Sequence, residues 1–377
     1  MYWATLCAAL FAPAVLGSFV QERGLHIVKT TTLPDGQVID WIKRESQGEI
    51  ASPPSFAPVH ESTKLVNMKT FADHEVGPEG TVPILRSSGV KFPMKQAPPN
   101  GPTRRDRIQK RQYADQHWYS STAQTKDNIG SSASVSLFKA YVQRSGDFSL
   151  LQTAVIRSGV PGLPNRGYQT LESGWINYPD QVKQPHLFTF YTTNSYTSEG
   201  NGISCWNTEC TGWVQVDNQY YPGMPLSPLS VIGGAQHDVQ IQYSLNNGSW
   251  WLGVNGVWAG YYPAKLFTKG SSNPRDTLES RSNQVNWYGE IYQTEGPYTT
   301  TDMGSGRFAE DGKGYAAYIR NIVSTDVNGN KFDYDGSSGA SVSDPKRYTL
   351  DTHFKSGEAW GSYFWAGGPG AGGVTGG

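Results

Sequence analysis

The chain has 377 residues, of which 37% are hydrophobic, 17% charged and 12% aromatic, with 43 glycines and 23 prolines. This composition is too aromatic for a disordered chain and too rich in glycine for a helix bundle. The net charge of −1 provides no basic field for nucleic acid. Beyond the N-terminus no apolar run reaches the roughly 18 residues of a membrane span. We therefore expect a β-rich protein that binds neither nucleic acid nor a membrane.

The first 17 residues have the pattern of a secretory signal peptide. An uncharged apolar stretch runs from Ala4 to Leu16, and Val15 and Gly17 are small enough for the positions before a cleavage site. A buried helix is the alternative, but nothing amphipathic follows the stretch. We expect removal after Gly17 and an extracellular protein.

Cysteine usage agrees with secretion. Removal of the signal takes away Cys7 and leaves Cys205 and Cys210, five positions apart. In a secreted chain such a pair is expected to form a disulfide. A metal site fits less well, because no third and fourth ligand stands at zinc-like spacing. Asn247 begins the sequence Asn-Gly-Ser, a predicted glycosylation site.

Residues 18–111 have the features of a removable pro-region. A Pro/Gly-rich stretch at 97–102 precedes a basic cluster that ends in Lys110 and Arg111, which resembles a kexin-type cleavage site; a solvated charged loop is the alternative. The segment holds 14 basic and 10 acidic residues, whereas residues 112–377 hold 17 and 22. Opposite charge would help to hold the two parts together, and protonation of carboxylates would loosen them. Within the pro-region, residues 24–30 and 37–42 flank a turn at 34–36 and predict a β-hairpin.

Residues 112–377 alternate short runs of Val, Tyr, Trp, Thr and Phe with clusters of Gly, Asn, Pro and Asp. Two Asn-Gly dipeptides, at 247–248 and 328–329, are hairpin-turn signals. About a dozen short strands at this spacing predict one antiparallel β-sandwich of jelly-roll or concanavalin-like type, with six or seven strands in each sheet. The stretch 367–377 is nearly all glycine and predicts a mobile tail.

Most catalytic chemistries find little support in this region. It contains no G-x-S-x-G elbow and no H-E-x-x-H metal motif. Residues 326–336 resemble a calcium loop only loosely, because Lys331 stands where glycine is needed. We therefore expect neither a metal nor another cofactor.

Two glutamates differ from the other six of residues 112–377. Glu172 and Glu290 lie within predicted strands, among aromatic residues and beside a glycine, whereas the others lie in loop-like sequence. Two acids facing one cleft would repel when both are ionised, so one would keep a proton at mildly acidic pH. One could then activate water while the other donates a proton. Salt-bridged or edge-strand glutamates are the alternative.

Several motifs in order along the chain resemble a known family. They are QTLESGW at 169–175, LFTFYT at 187–192, CWNTECTG at 205–212, SPLS at 227–230, GGAQ at 233–236, WWL at 250–252, GYYPAKLF at 260–267, WYGEI at 287–291, MGSG at 303–306 and, in the pro-region, LPDGQVID at 33–40. Together they resemble the neprosin family of secreted glutamic peptidases.

The resemblance implies a sandwich of two seven-stranded sheets, a pro-region that blocks the cleft, and Glu172 and Glu290 as the catalytic pair. It also implies water attack without an acyl-enzyme and cleavage after proline at acid pH. Two features depart from the family: its second, C-terminal disulfide has no cysteines here, and the dibasic site points to a processing protease where relatives activate themselves. Adjacency to the glutamates makes Trp175, Trp287 and Tyr292 candidates for substrate binding.

Two other function classes compete with a peptidase. Jelly-roll glycoside hydrolases also use two distant glutamates on an aromatic concave face, and a non-catalytic carbohydrate-binding module would use the aromatic residues alone. A long pro-region favours the peptidase, since an enzyme that digests proteins needs one. We expect proline-rich proteins or peptides as substrates, the pro-region as intramolecular inhibitor, and a monomer.

Overall fold

The computed structural model describes residues 24–59, 77–97 and 114–373. The predicted signal peptide and the predicted cleavage site at Lys110 and Arg111 lie outside these ranges. Within them every strand pairing is antiparallel, and no helix is long and apolar enough to cross a membrane. The described residues form no α-helix but only short 3-10 turns, at Arg44–Gln47, Ala264–Phe267, Pro274–Asp276, Ala309–Asp311 and Gly370–Gly373.

The N-terminal part forms a small three-stranded sheet. Its strands are β1 (Ile27–Thr32), β2 (Val38–Lys43) and β3 (Thr81–Leu85), in the order β1-β2-β3. The predicted hairpin is thus confirmed, and β3 is an addition that the sequence did not indicate. Alternation along β2 sends Ile42 to a small apolar cluster, whereas Trp41 joins the main hydrophobic core of the chain.

The rest of the chain contributes fifteen strands to a second sheet. They are β4 (Gln116–Ser136), β5 (Phe148–Arg157), β6 (Gln169–Tyr178), β7 (Val182–Thr192), β8 (Ser204–Trp206), β9 (Val214–Gln215), β10 (Asp238–Asn246), β11 (Ser249–Val254), β12 (Val257–Pro263), β13 (Ser282–Gln293), β14 (Ala317–Asp326), β15 (Lys331–Asp333), β16 (Ala340–Val342), β17 (Thr349–His353) and β18 (Tyr363–Gly367).

Strand β4 connects the two halves of this sheet. The main path runs β8-β7-β6-β5-β13-β4-β10-β11-β12-β9. Residues 116–128 of β4 pair with β13, and residues 130–136 pair with β10. At the junction a Cβ on Gly130 would lie 2.2 Å from the backbone oxygen of Tyr243, so the close approach of β10 requires glycine. The sequence predicted two separate sheets, but the strands are hydrogen-bonded into one, because β4 belongs to both halves.

One large core fills the space between the halves. Its buried members include residues of β5, β6 and β7 on one side and of β10, β11 and β12 on the other. The hydroxyl of Tyr243 on β10 donates to the backbone oxygen of Glu172 on β6 at 3.0 Å. The core therefore supports the strand that bears the first predicted catalytic residue.

The predicted hairpin turns are confirmed, whereas the prediction for the C-terminus is partly wrong. Both Asn-Gly dipeptides lie in hairpin turns, and Asn247 is exposed at the turn between β10 and β11. The predicted mobile tail is wrong for residues 367–370. A Cβ on Gly367 or Gly368 would lie 2.1 or 2.0 Å from the backbone oxygens of Arg307 and Arg347, so these glycines allow the chain to pack closely.

Candidate active site

Three adjacent strands position the two predicted catalytic residues. Strand β5 lies between β6 and β13, where Ala154 pairs with Glu172 and Leu150 pairs with Glu290. Side chains two apart on a strand point to the same face, so Gln152 lies between the glutamates. All three side chains are completely buried. The sequence thus folds into a diagonal row of carboxylate, amide and carboxylate.

The surface around this row is aromatic. We call it the glutamate face; it is the side of the sheet that points away from the main core. Its buried apolar members form a cluster of their own: Phe92, Tyr119, Phe148, Leu150, Ala154, Ile156, Tyr168, Ile176, Tyr178, Phe188, Phe190, Tyr196, Trp206, Tyr288 and Tyr292. Such a wall excludes water and strengthens the interactions of the charged groups within it.

Of the three predicted substrate-binding residues, only one lies on the glutamate face. Trp175 and Trp287 each lie three positions from a glutamate, an odd number that sends them to the opposite side of the sheet. Both are completely buried in the main core. The prediction that they bind substrate is therefore wrong, and their role is to pack the core. Tyr292 lies on the glutamate face, where its hydroxyl donates to Asp115 at 2.6 Å.

Glu172 receives hydrogen bonds from four side chains. Gln152 Nε2 and the Tyr288 hydroxyl donate to Oε2 at 2.6 and 2.9 Å. The hydroxyls of Tyr196 and Thr170 donate to Oε1 at 2.6 and 3.0 Å. Burial raises the pKa of Tyr196 and Tyr288 well above the ordinary value, so these phenols remain neutral donors. The carboxyl group is therefore held in one orientation.

Glu290 has a less complete set of partners. His117 Nδ1 lies 2.7 Å from Oε1, and the Tyr119 hydroxyl donates to the same oxygen at 3.4 Å. Oε2 is buried and pairs with the ammonium group of Lys95, with no other hydrogen-bond donor on it among the described residues. Burial raises the pKa of Glu290, but the charges and hydrogen bonds of Lys95 and His117 outweigh it and lower the pKa below its ordinary value. Oε2 would thus be left without a donor if Lys95 departed.

A lysine of the N-terminal part lies between the two carboxylates. Lys95 Nζ is 2.9 Å from Glu172 Oε2 and 2.9 Å from Glu290 Oε2, and its side chain is completely buried. The two contacts place the oxygens at most about 5.8 Å apart, twice 2.9 Å. Burial of three charges is tolerated only when they pair, and here one cation bridges two anions.

The lysine belongs to a stretch that crosses the glutamate face, residues 91–97, which we call the cleft segment. Phe92 and Lys95 are its buried side chains, and Met94 and Gln96 are exposed. Trp206 Nε1 donates to the Pro93 carbonyl at 3.0 Å, and the Tyr119 hydroxyl donates to the Gln96 carbonyl at 3.1 Å. Side-chain hydrogen bonds therefore hold the backbone of the segment on both sides of the lysine.

Sequence reasoning found the glutamates but missed their partners. Gln152 carried a usable signal, because it is the one amide side chain in a run at 148–156 that otherwise holds apolar residues, a serine and a threonine. His117 and Tyr196 carried none, since their contacts depend on strand pairing and on loop positions. Lys95 was one of several lysines in the pro-region.

The disulfide and the calcium-like turn considered in the sequence are structural features and not parts of the site. Cys205 and Cys210 form a disulfide, with Cα atoms 6.1 Å apart, next to Trp206. Residues 326–330 form a turn in which the Asp326 carboxylate accepts backbone hydrogen bonds from Asn328 and Asn330. Across the described ranges no group of three or more His, Cys, Asp or Glu side chains is placed to hold a metal ion.

Comparison with known structures gives weak likenesses. Scytalido-glutamic peptidase with a peptide-based transition-state analogue is 10% identical, with a TM-score of 0.33, and the match covers 68% of this chain and 98% of that one. SCP-B, a member of the eqolisin family of peptidases in complex with the tripeptide Ala-Ile-His, is 9% identical with the same TM-score and coverage. The apo Crh5 transglycosylase is 8% identical, with a TM-score of 0.24 over 53% of this chain and 75% of that one. Likenesses at these TM-scores do not discriminate between functions.

Comparison with protein families is decisive. The Neprosin family model matches residues 145–369, more than half of the chain. The matched range contains both glutamates and Gln152, and it ends within the packed glycines that follow β18. The chain therefore belongs to the Neprosin family.

Proposed function

We propose that this protein is a secreted glutamic endopeptidase that is made as an inactive precursor. The carrying observation is the convergence of Glu172 and Glu290 on one buried cation, Lys95. Membership of the Neprosin family supports peptidase activity. A peptide segment of the chain itself covers the two acids, which favours a peptide over a glycan as substrate.

Departure of the cleft segment would create the reactive arrangement. Once Lys95 leaves, two carboxylates face the same space with no cation between them, so the pair keeps one proton in the acid range. A water molecule can then take the place of Nζ, within reach of both Oε2 atoms. This is the distance at which a general base acts on its proton.

The unequal partners of the two glutamates suggest their roles. Once Lys95 has left, Glu290 Oε2 has no hydrogen-bond donor among the described residues, so it accepts a proton from the water as the water oxygen attacks the substrate carbonyl carbon. Glu172 carries the shared proton and gives it to the carbonyl oxygen; the neighbouring hydroxyls of Tyr196 and Tyr288 can accept a hydrogen bond from its protonated form. In the second step the C–N bond breaks, the amine nitrogen takes the proton from Glu290, and the hydroxyl formed from the carbonyl oxygen returns its proton to Glu172. The products are a carboxylic acid and an amine, and no acyl-enzyme forms.

The same contacts account for inhibition by the pro-region. Lys95 occupies the position of the attacking water, and the cleft segment occupies the position of substrate. The lowered pKa of Glu290 means that the Lys95 contact is fully stabilising above the ordinary glutamate pKa and is lost as pH falls through the lowered value. Acid would therefore open the precursor, before cleavage near Lys110 and Arg111 removes the segment.

Cleavage after proline, glycosylation at Asn247 and a monomeric state complete the proposal. The first follows from the family resemblance. The second follows from the sequon and the exposed position of Asn247 in its turn.

A substrate panel tests the proposed function. The secreted full-length protein, processed in acid, is incubated at pH 3 to 7 with a denatured proline-rich protein and with soluble glucans and xylans. We expect peptide products only, with new C-termini at proline. Release of sugars without peptides would assign a glycoside hydrolase instead, and no turnover of any substrate would favour a binding module.

A further inference from the structure

The cleft segment makes a second buried contact three residues before the lysine. The Phe92 ring stacks on Trp206, with centroids 5.1 Å apart and planes 18° apart, and packs against Tyr178 at 5.5 Å. Phe148 closes the pocket behind Trp206 at 5.9 Å. The Phe92 side chain is only 6% exposed. An aromatic pocket, filled by Phe92, thus lies beside the two glutamates.

The pocket also holds the backbone of its occupant. Trp206 Nε1 donates to the carbonyl of Pro93, the residue that follows the buried phenylalanine. One side chain therefore provides both the stacking surface and a hydrogen bond to the backbone of the segment. This contact uses only groups that any peptide carries, so it is available to a substrate as well as to the cleft segment.

Spacing links the pocket to the catalytic centre. In a polyproline II helix, which has three residues per turn, side chains three apart point the same way; Phe92 and Lys95 have this spacing and are the two side chains that the cleft segment buries. The residue in the aromatic pocket therefore lies three positions from the residue at the glutamates. A substrate that follows the same path would present two side chains in this register.

We infer that Trp206 and Tyr178 form a specificity-determining subsite for an aromatic side chain, located three residues from the position that Lys95 occupies. The substrate class is a peptide with phenylalanine or tyrosine at that distance from the catalytic centre. This inference rests on the proposed function, because it takes the cleft segment as a guide to substrate. It also gives Phe92 a role of its own in holding the precursor closed.

The first arm of the test measures the pocket without catalysis. Trypsin at neutral pH can cleave after Lys95 only when the segment leaves the glutamate face. Burial and stacking of one aromatic ring predict that Phe92→Ala or Trp206→Leu in the full chain accelerates this cleavage about 10- to 100-fold. In the double variant, cleavage after Lys95 should be at most about threefold faster than in either single variant, since the effects of substituting two residues in contact do not add.

Two further variants distinguish loss of the pocket from a general loss of folding. Tyr178→Leu removes the other wall of the pocket and should give the same direction of change. Trp360→Leu is the matched control, because Trp360 packs in a separate cluster with Tyr318 and Trp365, and it should leave cleavage after Lys95 unchanged. Additive effects of Phe92→Ala and Trp206→Leu would overturn the contact.

The second arm measures specificity. The full-length protein and its Trp206→Leu variant, both processed in acid, digest a peptide library that is read by mass spectrometry. We expect aromatic residues to be enriched about 10-fold or more at one fixed distance from the scissile bond, and Trp206→Leu to abolish this enrichment while leaving other positions unchanged. Equal enrichment in the variant would refute the subsite. If the wild type cleaves no peptide, the proposed function fails, and the trypsin arm alone then decides whether the pocket holds an aromatic ring.

Discussion

Replacement of Lys95 by methionine should release the precursor from inhibition. Methionine keeps the length and apolar stem of the side chain but removes the charge that bridges Glu172 and Glu290. Both ion pairs are 2.9 Å long and completely buried. Removal of one partner from such a site costs about 3–5 kcal/mol, because the remaining charges are left uncompensated.

This cost sets the expected shift in the equilibrium between the closed precursor, in which the cleft segment covers the glutamates, and the open one. At about 1.4 kcal/mol per tenfold change, the closed form loses a factor of about 10² to 4 × 10³. The lower value applies when one of the two glutamates takes up a proton and relieves the repulsion. The variant should therefore open at a pH at which the wild type stays closed.

Latency after a pH jump is the appropriate assay. The full-length protein is shifted from pH 7 to a series of lower values, and the lag before peptidase activity is recorded. In the wild type the lag should shorten as pH falls through the lowered pKa of Glu290, because protonation removes the attraction to Lys95. In Lys95→Met the lag should be short at every pH, and the pH dependence should flatten.

A neighbouring lysine provides the control. Lys91 lies in the same segment, but its side chain is exposed, so Lys91→Met should behave as the wild type. If Lys95→Met keeps the wild-type lag and pH dependence, or if both variants lose latency equally, the bridging lysine does not hold the precursor closed.

Three other measurements test separate parts of the account. Terminal sequencing of the active enzyme should find an N-terminus at or near Gln112, and active protein that retains residues 18–111 would contradict this. Replacing Cys205 and Cys210 by alanine should lower the free energy of unfolding in urea by about 2 kcal/mol, the value for a loop of this length; no loss would contradict a stabilising disulfide. His117→Gln should raise the pKa of Glu290 and move the acid limb of the kcat/KM profile to higher pH, and an unchanged limb would separate His117 from catalysis.

Strand patterns and composition made part of the site predictable. Glu172 and Glu290 stood out because carboxylates are costly among aromatic residues on a strand, and both lie mid-strand on one face. The two-residue period also contained the information that Trp175 and Trp287 face away from them. Adjacency in sequence selected these tryptophans, but an odd spacing on a strand separates side chains rather than joining them.

The remaining parts of the site depend on pairings that the sequence does not encode locally. Lys95 comes from 77 positions before Glu172, and Gln152 becomes central only because β5 lies between β6 and β13. The single continuous sheet has the same origin, since it depends on how β4 pairs along its 21 residues. Hairpin turns, by contrast, are local, and the two Asn-Gly signals were correct.

Turnover by the two glutamate variants tests the central claim most directly. Glu172→Gln and Glu290→Gln keep the shape of the side chain but can neither take up nor give a proton. After processing with an added protease, each should lose about 10²- to 10⁴-fold in kcat, and the double variant should be little worse than either. Glu295→Gln, at a glutamate whose side chain is 73% exposed, should match the wild type. Retention of more than about a tenth of wild-type kcat by Glu172→Gln, with unchanged unfolding, would contradict a mechanism that uses both glutamates.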